Sequence, residues 1–383
     1  MLLLAACGRT ETVTRTVTTT VAAPTTTVPA SGRKLVVGAV EDAAKFAPTA
    51  QSARDETGRA RAAGFRALVF SAIWRPPLQE LPPDELARLR QAVEAAGADG
   101  IEPIVAVYQF SGDTPATEER RTQFAAFAAS VPRLLPEVRR VIVGDEPNSN
   151  LFWLPQFADD DSDAAAEAYE QLLTRSYDAI KAVSADVEVI GGGLAAHGAD
   201  RPNGKRPTHS PTTFVRDLGE AYRASGRSLP LMDAFSLHPY GETSAIPPTL
   251  PHPKVTSLGI ADYDRLEELL REAFGGDMPI VYGEYGADTT IPPGEREAYT
   301  GAEAPSTHPV AEWTQAGYYA QAIRMAACQP LVELLLFFHV SDEPQLERLQ
   351  TGVYYADGTP KPGLQTVAKA ARKAAAGEVE CSP

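Results

Sequence analysis

From Lys34 onward the chain alternates a short apolar run with a helical stretch, and this constrains its fold more than any other feature. The runs are Leu35–Val40, Ala67–Ile73, Ile101–Val107, Val138–Val143, Val187–Ile190, Met232–Leu237, Pro279–Tyr282 and Val332–Phe338. Each holds four to seven residues and lacks a period of two, the pattern of parallel strands covered on both faces. Amphipathic stretches such as Asp84–Ala96, Ala164–Val183, Tyr263–Phe274 and Glu312–Ala327 lie between them. Eight strand–helix units predict an α/β protein with a single (β/α)8 barrel over residues 34–383. A barrel of about 250 residues plus insertions would use most of the 383-residue chain. A doubly wound open sheet would carry a Gly-rich phosphate turn after an early strand, and none follows the first two runs.

Connection lengths add an independent argument. Helix-to-strand turns are short, as in Ala62-Ala63-Gly64 and Ala98-Asp99-Gly100, whereas strand-to-helix segments 197–211, 241–261 and 287–309 are long. One face is therefore elaborated, the face on which barrel enzymes build their sites. The net charge of −15 comes with no basic block, which argues against partners held through phosphate charge, whether nucleic acid or an anionic membrane.

The N-terminus predicts a different environment. Leu4-Ala5-Ala6-Cys7 resembles a bacterial lipobox, in which Cys7 becomes the lipidated residue, although no basic stretch precedes it. Residues 1–7 are then the remainder of a signal, the alternative being a chance apolar start. Residues 8–33 hold ten Thr with Val, Ala and Pro and no apolar period, the composition of a disordered tether. The expectation is a monomer outside the cytoplasm, lipid-anchored or secreted, that touches a membrane only through its lipid. With Cys7 modified, Cys328 and Cys381 remain, either as a disulfide holding the C-terminus or as two free thiols.

The candidate chemistry sits at strand ends. The fourth run closes in Asp145-Glu146-Pro147-Asn148, with Phe152-Trp153 soon after, and the seventh closes in Gly283-Glu284-Tyr285. A single Glu there could be surface filler. Two, three barrel positions apart, are the pair that retaining glycosidic cleavage requires, one protonated and one ionised about 5–5.5 Å away. Repulsion and burial would keep one of them protonated.

These motifs resemble the clan A glycoside hydrolases, retaining (β/α)8 enzymes, and most of all family 39 and its cellulase-like relatives. The resemblance rests on Asp145-Glu146-Pro147-Asn148 with Phe152-Trp153 and on Ser236-Leu237-His238-Pro239-Tyr240-Gly241. Gly352-Val353-Tyr354 and Thr359-Pro360-Lys361-Pro362 are similar to the clan's closing stretch, so the likeness covers residues 34 to about 375. It implies hydrolysis of a poly- or oligosaccharide without a cofactor or metal, with Glu146 as general acid/base and Glu284 as nucleophile. It also implies that Tyr240 hydrogen-bonds the nucleophile and that His238 lines the sugar pocket; Asp145, Asn148, Trp153 and His339 are further candidates for substrate contact. Three departures bear on the substrate. Asp145 stands where the clan has Asn, Phe337-Phe338-His339 where strand eight offers Trp, and Tyr108-Gln109 where several families have His. An ionised Asp145 could only accept a hydrogen bond.

Other residues allow two readings each. Trp153 and Trp74 either stack on a sugar or pack in the interior. Asp42 either lines the pocket or caps a helix. Gly191-Gly192-Gly193 lacks the Lys and Ser/Thr of a phosphate loop, which leaves a close backbone approach to a ligand or a bare loop. Two rival functions share the barrel: a carbohydrate-binding lipoprotein that has lost catalysis, and a metal-dependent hydrolase using Glu146, His238, Glu284 and His339. The second usually needs a His-x-His pair on strand one, where this chain has Val40-Glu41-Asp42.

Overall fold

The computed structural model describes residues 30–31, 33–303 and 308–381; Cys7 and nearly all of the Thr-rich stretch lie outside them. Eight strands close a barrel: β1 (Val36–Val40), β2 (Ala67–Ile73), β3 (Glu102–Tyr108), β4 (Arg140–Val143), β5 (Glu188–Ala195), β6 (Ala234–His238), β7 (Ile280–Tyr285) and β8 (Val332–Phe338). Each pairs in parallel with the next. β8 returns to β1, with Leu334 opposite Val36 and Phe338 opposite Val40.

Side-chain alternation explains why the runs show no period of two. Ala67 and Val69 of β2 and Leu334 and Leu336 of β8 fill the barrel interior with Ile104, Ile142, Ile190 and Val281. Their neighbours Leu68, Phe70, Leu335 and Phe337 point outward into the layer between strands and helices. Both faces are dry, so both sets of positions are apolar. At the bottom, Arg140 is 2.7 Å from Glu188 and 3.1 Å from Glu102, which gives the charged strand starts a partner.

A helix follows each strand: α1 (Ala50–Ala62), α2 (Pro83–Ala98), α3 (Glu118–Leu134), α4 (Ala164–Val183), α5 (Pro211–Ala224), α6 (Tyr263–Phe274), α7 (Glu312–Ala327) and α8 (Leu364–Ala376). Thr49, Thr117, Asp163 and Ser210 cap α1, α3, α4 and α5 by accepting from backbone N–H groups of the first turn. Among the described residues no helix is long and apolar enough to cross a membrane.

One sequence expectation is corrected. Gly191–Gly193 is not a loop but part of β5, which runs on to Ala195 through an irregularity between Gly192 and Leu194. Gly192 has φ +96°, and a Cβ there would sit 2.6 Å from the carbonyl of Ser236. The glycines let β5 press against β6 and bring Gly193 beside the candidate site.

The first and last described strands meet beneath the barrel. Ala30–Ser31 pairs antiparallel with Glu380–Cys381, and Cys381 is disulfide-bonded to Cys328, just past α7, with Cα atoms 5.5 Å apart. The bond spans 53 residues of sequence. Loop-closure entropy gives such a cross-link about 4 kcal/mol. Cys381→Ser should therefore melt several degrees below wild type under oxidising conditions and match it in reductant. Equal melting temperatures without reductant would rule out the bond.

Candidate active site

The site begins with a sharp exit from β4. Gly144 has φ +85°, and a Cβ there would stand 2.9 Å from the Tyr169 ring of α4. That ring is fixed because its hydroxyl donates to the Val143 carbonyl at 2.6 Å and accepts from Gly192 N–H at 2.8 Å. Two residues later Glu146 has φ +37°, left-handed for a side chain with a Cβ. Such backbone costs about 1–3 kcal/mol and persists only where its surroundings enforce it. Here Gly193 accepts from the Glu146 N–H at 3.0 Å. The turn aims Asp145 and Glu146 into a cleft of about 900 Å³ at the C-terminal mouth of the barrel. That volume suits a ligand-binding cleft.

Glu284, near the end of β7, enters the same cleft, and one imidazole organises the group. His238 Nδ1 lies 3.3 Å from Glu146 Oε1, 3.6 Å from Glu284 Oε2 and 3.9 Å from Asp145 Oδ1. The Glu146 and Glu284 oxygens facing that nitrogen are therefore less than 7 Å apart, because 3.3 and 3.6 Å bound their separation. Tyr240 donates its hydroxyl proton to Glu284 Oε2 at 3.1 Å. Asp145, His238 and Glu284 each offer an atom within 4.8 Å of the others.

Three carboxyls around one buried ring set the electrostatics. Burial alone would push His238 down, but Glu284, the Glu146 hydrogen bond and Asp145 outweigh it and raise the imidazole to about 9. Burial, then the charges of Glu284 and Glu146, hold Asp145 well above the usual carboxylate range. Burial and Glu146 raise Glu284 as well, although His238, His339 and the Tyr240 hydrogen bond oppose the shift. Glu284 thus has the stronger support for its anion, and Asp145 is pushed further toward its neutral form.

These directions fix a pH dependence. His238 is raised above its ordinary 6.5, so its contribution to stability is complete below that pH and lost as pH rises through about 9. The two raised carboxyls have the same sign, since the folded state retains protons that the unfolded chain releases. The site's share of the melting temperature should fall between pH 6.5 and 9. A histidine-ring NMR titration should place His238 near 9 in wild type and clearly lower in Glu284→Gln. An unchanged His238 in that variant would refute the coupling.

The structure separates the remaining candidates. His339 lines the cleft with Nδ1 donating to the Val40 carbonyl at 2.7 Å, and Phe338 beside it lines the cleft too. Asp42 lines the cleft while accepting from the backbone N–H and hydroxyl of Ser71; it starts the short helix Ala43–Phe46 without a side-chain cap bond.

Two residues expected at the substrate are not there. Asn148 is fully buried and spends its amide on the Ala195 backbone, in both directions, and on the His209 carbonyl. It ties the β4–α4 loop to β5. Trp153 is 1% exposed, packed edge-on against Tyr169, and cannot serve as a platform. Trp74 is wholly buried, with its indole N–H donating to the Leu78 carbonyl.

The aromatic surface instead comes from Tyr108, Phe110 and Phe152. Phe110 and Phe152 stack at 5.6 Å, and Tyr108 meets both edge-on. All three line the cleft, and Phe110 is 44% exposed. The advance signals were Tyr108-Gln109 at the end of β3 and Phe152 beside Trp153; Gln109 is buried and donates to the Phe152 carbonyl.

No family model matches the chain, and no curated protein matches it in sequence. Solved structures are similar to it in fold. An exo-β-1,4-mannosidase from Opitutaceae bacterium strain TAV5 superposes with TM-score 0.54 at 16% identity, over 91% of this chain and 61% of that one. A glucosidase from Croceicoccus marinus gives 0.60 at 13% identity, over 91% and 68%. A Bacteroidetes-affiliated GH5 cellulase gives 0.57 at 15% identity, over 89% and 91%. The chain spans about three-fifths of the mannosidase, and at these identities the likeness is one of fold.

Proposed function

We propose that this protein is a retaining glycoside hydrolase that cleaves an O-glycosidic bond of an oligo- or polysaccharide by double displacement. The observation that carries the reading is the meeting of Glu146 and Glu284, from β4 and β7, on the single nitrogen of His238. Their separation is compatible with the spacing of a retaining pair. Neighbouring folds in the solved structures belong to proteins named as mannosidase, glucosidase and cellulase, which supports the same reading.

Glu284 attacks the anomeric carbon while Glu146 protonates the departing oxygen. A glycosyl ester forms on Glu284 and the leaving alcohol departs with the Glu146 proton. Glu146, now a carboxylate, takes a proton from water; the water oxygen displaces Glu284 and the sugar leaves with retained configuration. Tyr240 and His238 hold Glu284 as an anion between turnovers. The stacked face of Phe110 and Phe152 suits the apolar face of a pyranose.

Asp145 fits the reaction better as a neutral acid than as an anion. With its proton it donates a hydrogen bond, the capacity of the Asn that it replaces in the motif. Asp145→Ala should lose about 10- to 100-fold in kcat/KM. Asp145→Asn should recover most of that loss and carry the alkaline limb of the pH profile to higher pH. An Asn variant as poor as the Ala variant would show that the charge, not the donor, is needed.

The extracytoplasmic setting, with a lipid on Cys7, is part of the proposal and rests on the lipobox and the Thr-rich stretch; a disulfide suits an oxidising compartment. The deciding experiment is a panel of activated 2-fluoro glycosides followed by mapping of the labelled peptide. Label on Glu284 identifies both mechanism and sugar. Label on another residue, or no covalent species with any sugar that the protein turns over, would refute the assignment, and the second result would favour a metal-dependent hydrolase.

A further inference from the structure

A second cavity, of about 880 Å³, lies between α4 and α5 on the outside of the barrel and shares no lining residue with the catalytic cleft. Seven of its lining residues are Asp or Glu and none is Lys or Arg. Within it Asp163, His209 and Asp217 each bring one ligand atom within 4.8 Å of the other two.

Two of these residues are buried. The Asp163 side chain is 4% exposed; its Oδ1 accepts from the Ala166 N–H at 2.8 Å, no N–H or hydroxyl donates to its Oδ2, and its carboxyl is a hydrogen-bond neighbour of the Asp217 carboxyl. His209 is 2% exposed; its Nε2 donates to the Gln156 carbonyl at 2.9 Å, and its Nδ1 has no partner. The ring is held in place as well, because Phe157 lies against it at 4.0 Å between centroids and Asn148 bonds its backbone on both sides. The Asp163 and Asp217 carboxyls are hydrogen-bond neighbours, and His209 Nε2 lies 3.3 Å from Asp163 Oδ1; two carboxyls this close are costly as anions in a cavity that offers no positive side chain.

We propose that Asp163, His209 and Asp217 bind one divalent transition-metal cation, of the Zn²⁺ or Mn²⁺ kind. Two carboxylates and an imidazole suit those ions, whereas Ca²⁺ prefers an all-oxygen shell. The ion joins the end of the β4–α4 loop, through Asp163, to α5, through Asp217. His209 links it to Asn148, two residues beyond Glu146. It acts as a brace for the loop that holds the acid/base.

The test uses full-length protein stripped with a chelator, to which Zn²⁺ alone or Mn²⁺ alone is returned. Wild type should bind one ion per chain with Kd of about 10 µM or tighter and melt several degrees higher with it. Asp217→Asn, at a partly buried position that leaves the other two ligands in place, should bind at least about tenfold more weakly. Glu284→Gln should bind as wild type does. The proposal fails if neither ion binds wild type, if Asp217→Asn binds unchanged, as it would were the carboxyls merely sharing a proton, or if Glu284→Gln loses the ion, which would place it in the catalytic cleft.

Discussion

Glu284→Gln should lower kcat by about four orders of magnitude or more, because the amide cannot form the glycosyl ester. The replacement keeps the shape of the side chain and can still accept from Tyr240, so folding and substrate affinity should change little. Calorimetric binding of an oligosaccharide to the variant, alongside turnover of an aryl glycoside, separates the two effects. A variant that keeps more than a few per cent of wild-type turnover would remove Glu284 as nucleophile. Loss of affinity and turnover together would point to a binding role. The variant also removes the largest charge supporting the His238 proton, so its ring titration is an internal control that the substitution reached the intended cluster.

Glu146→Ala should have the second largest effect, and its signature is dependence on the leaving group. Protonation by a positioned acid contributes about 10²–10⁴-fold. That loss should be nearly complete for a natural sugar leaving group and small in the first step for an activated phenol, which departs unaided. With the activated substrate the slow step becomes hydrolysis of the glycosyl–Glu284 ester, because no base remains to deprotonate water. Azide needs no base and fits the space left by the side chain. It should restore turnover and yield a glycosyl azide of retained configuration. Inverted azide would assign Glu146 as the nucleophile and reverse the two roles. Uniform loss across leaving groups, without rescue, would make Glu146 a structural residue of the turn at Gly144.

How much of this was legible in the chain depends on the kind of information. The barrel was, because strands dry on both faces leave long apolar runs and short bottom turns that local sequence carries. The paired glutamates were too, since a carboxylate closing an apolar run has few places to go. What adjacent side chains do in a loop was not. Phe152 and Trp153 are neighbours, yet the turn after Ser149 sends one into the cleft and the other against Tyr169. Asn148 looked like a ligand to substrate because amides serve there, but its partners come from Ala195 and His209, 47 and 61 residues away. Gly191–Gly193 looked like a loop because three glycines lower strand propensity, and the packing of β5 on β6 overrode that preference. The upward shift of Asp145 was invisible for a similar reason. It follows from the burial and convergence of Glu146, Glu284 and His238, which no local window contains.

The seam between the first and last described strands sets an orientation. Ala30–Ser31 is sewn to the last described strand on the face opposite the cleft, and Cys328–Cys381 anchors that seam to the end of α7. Whatever grips the polypeptide upstream of Ala30 therefore holds the molecule by its floor. On a bead, a chip or a cell, the point of attachment would lie across the full height of the barrel from the cleft. An insoluble polymer could reach the cleft without the support in the way. A pull on that end would load the pair of short strands and the sulfur bond before it reached the turn that carries Glu146.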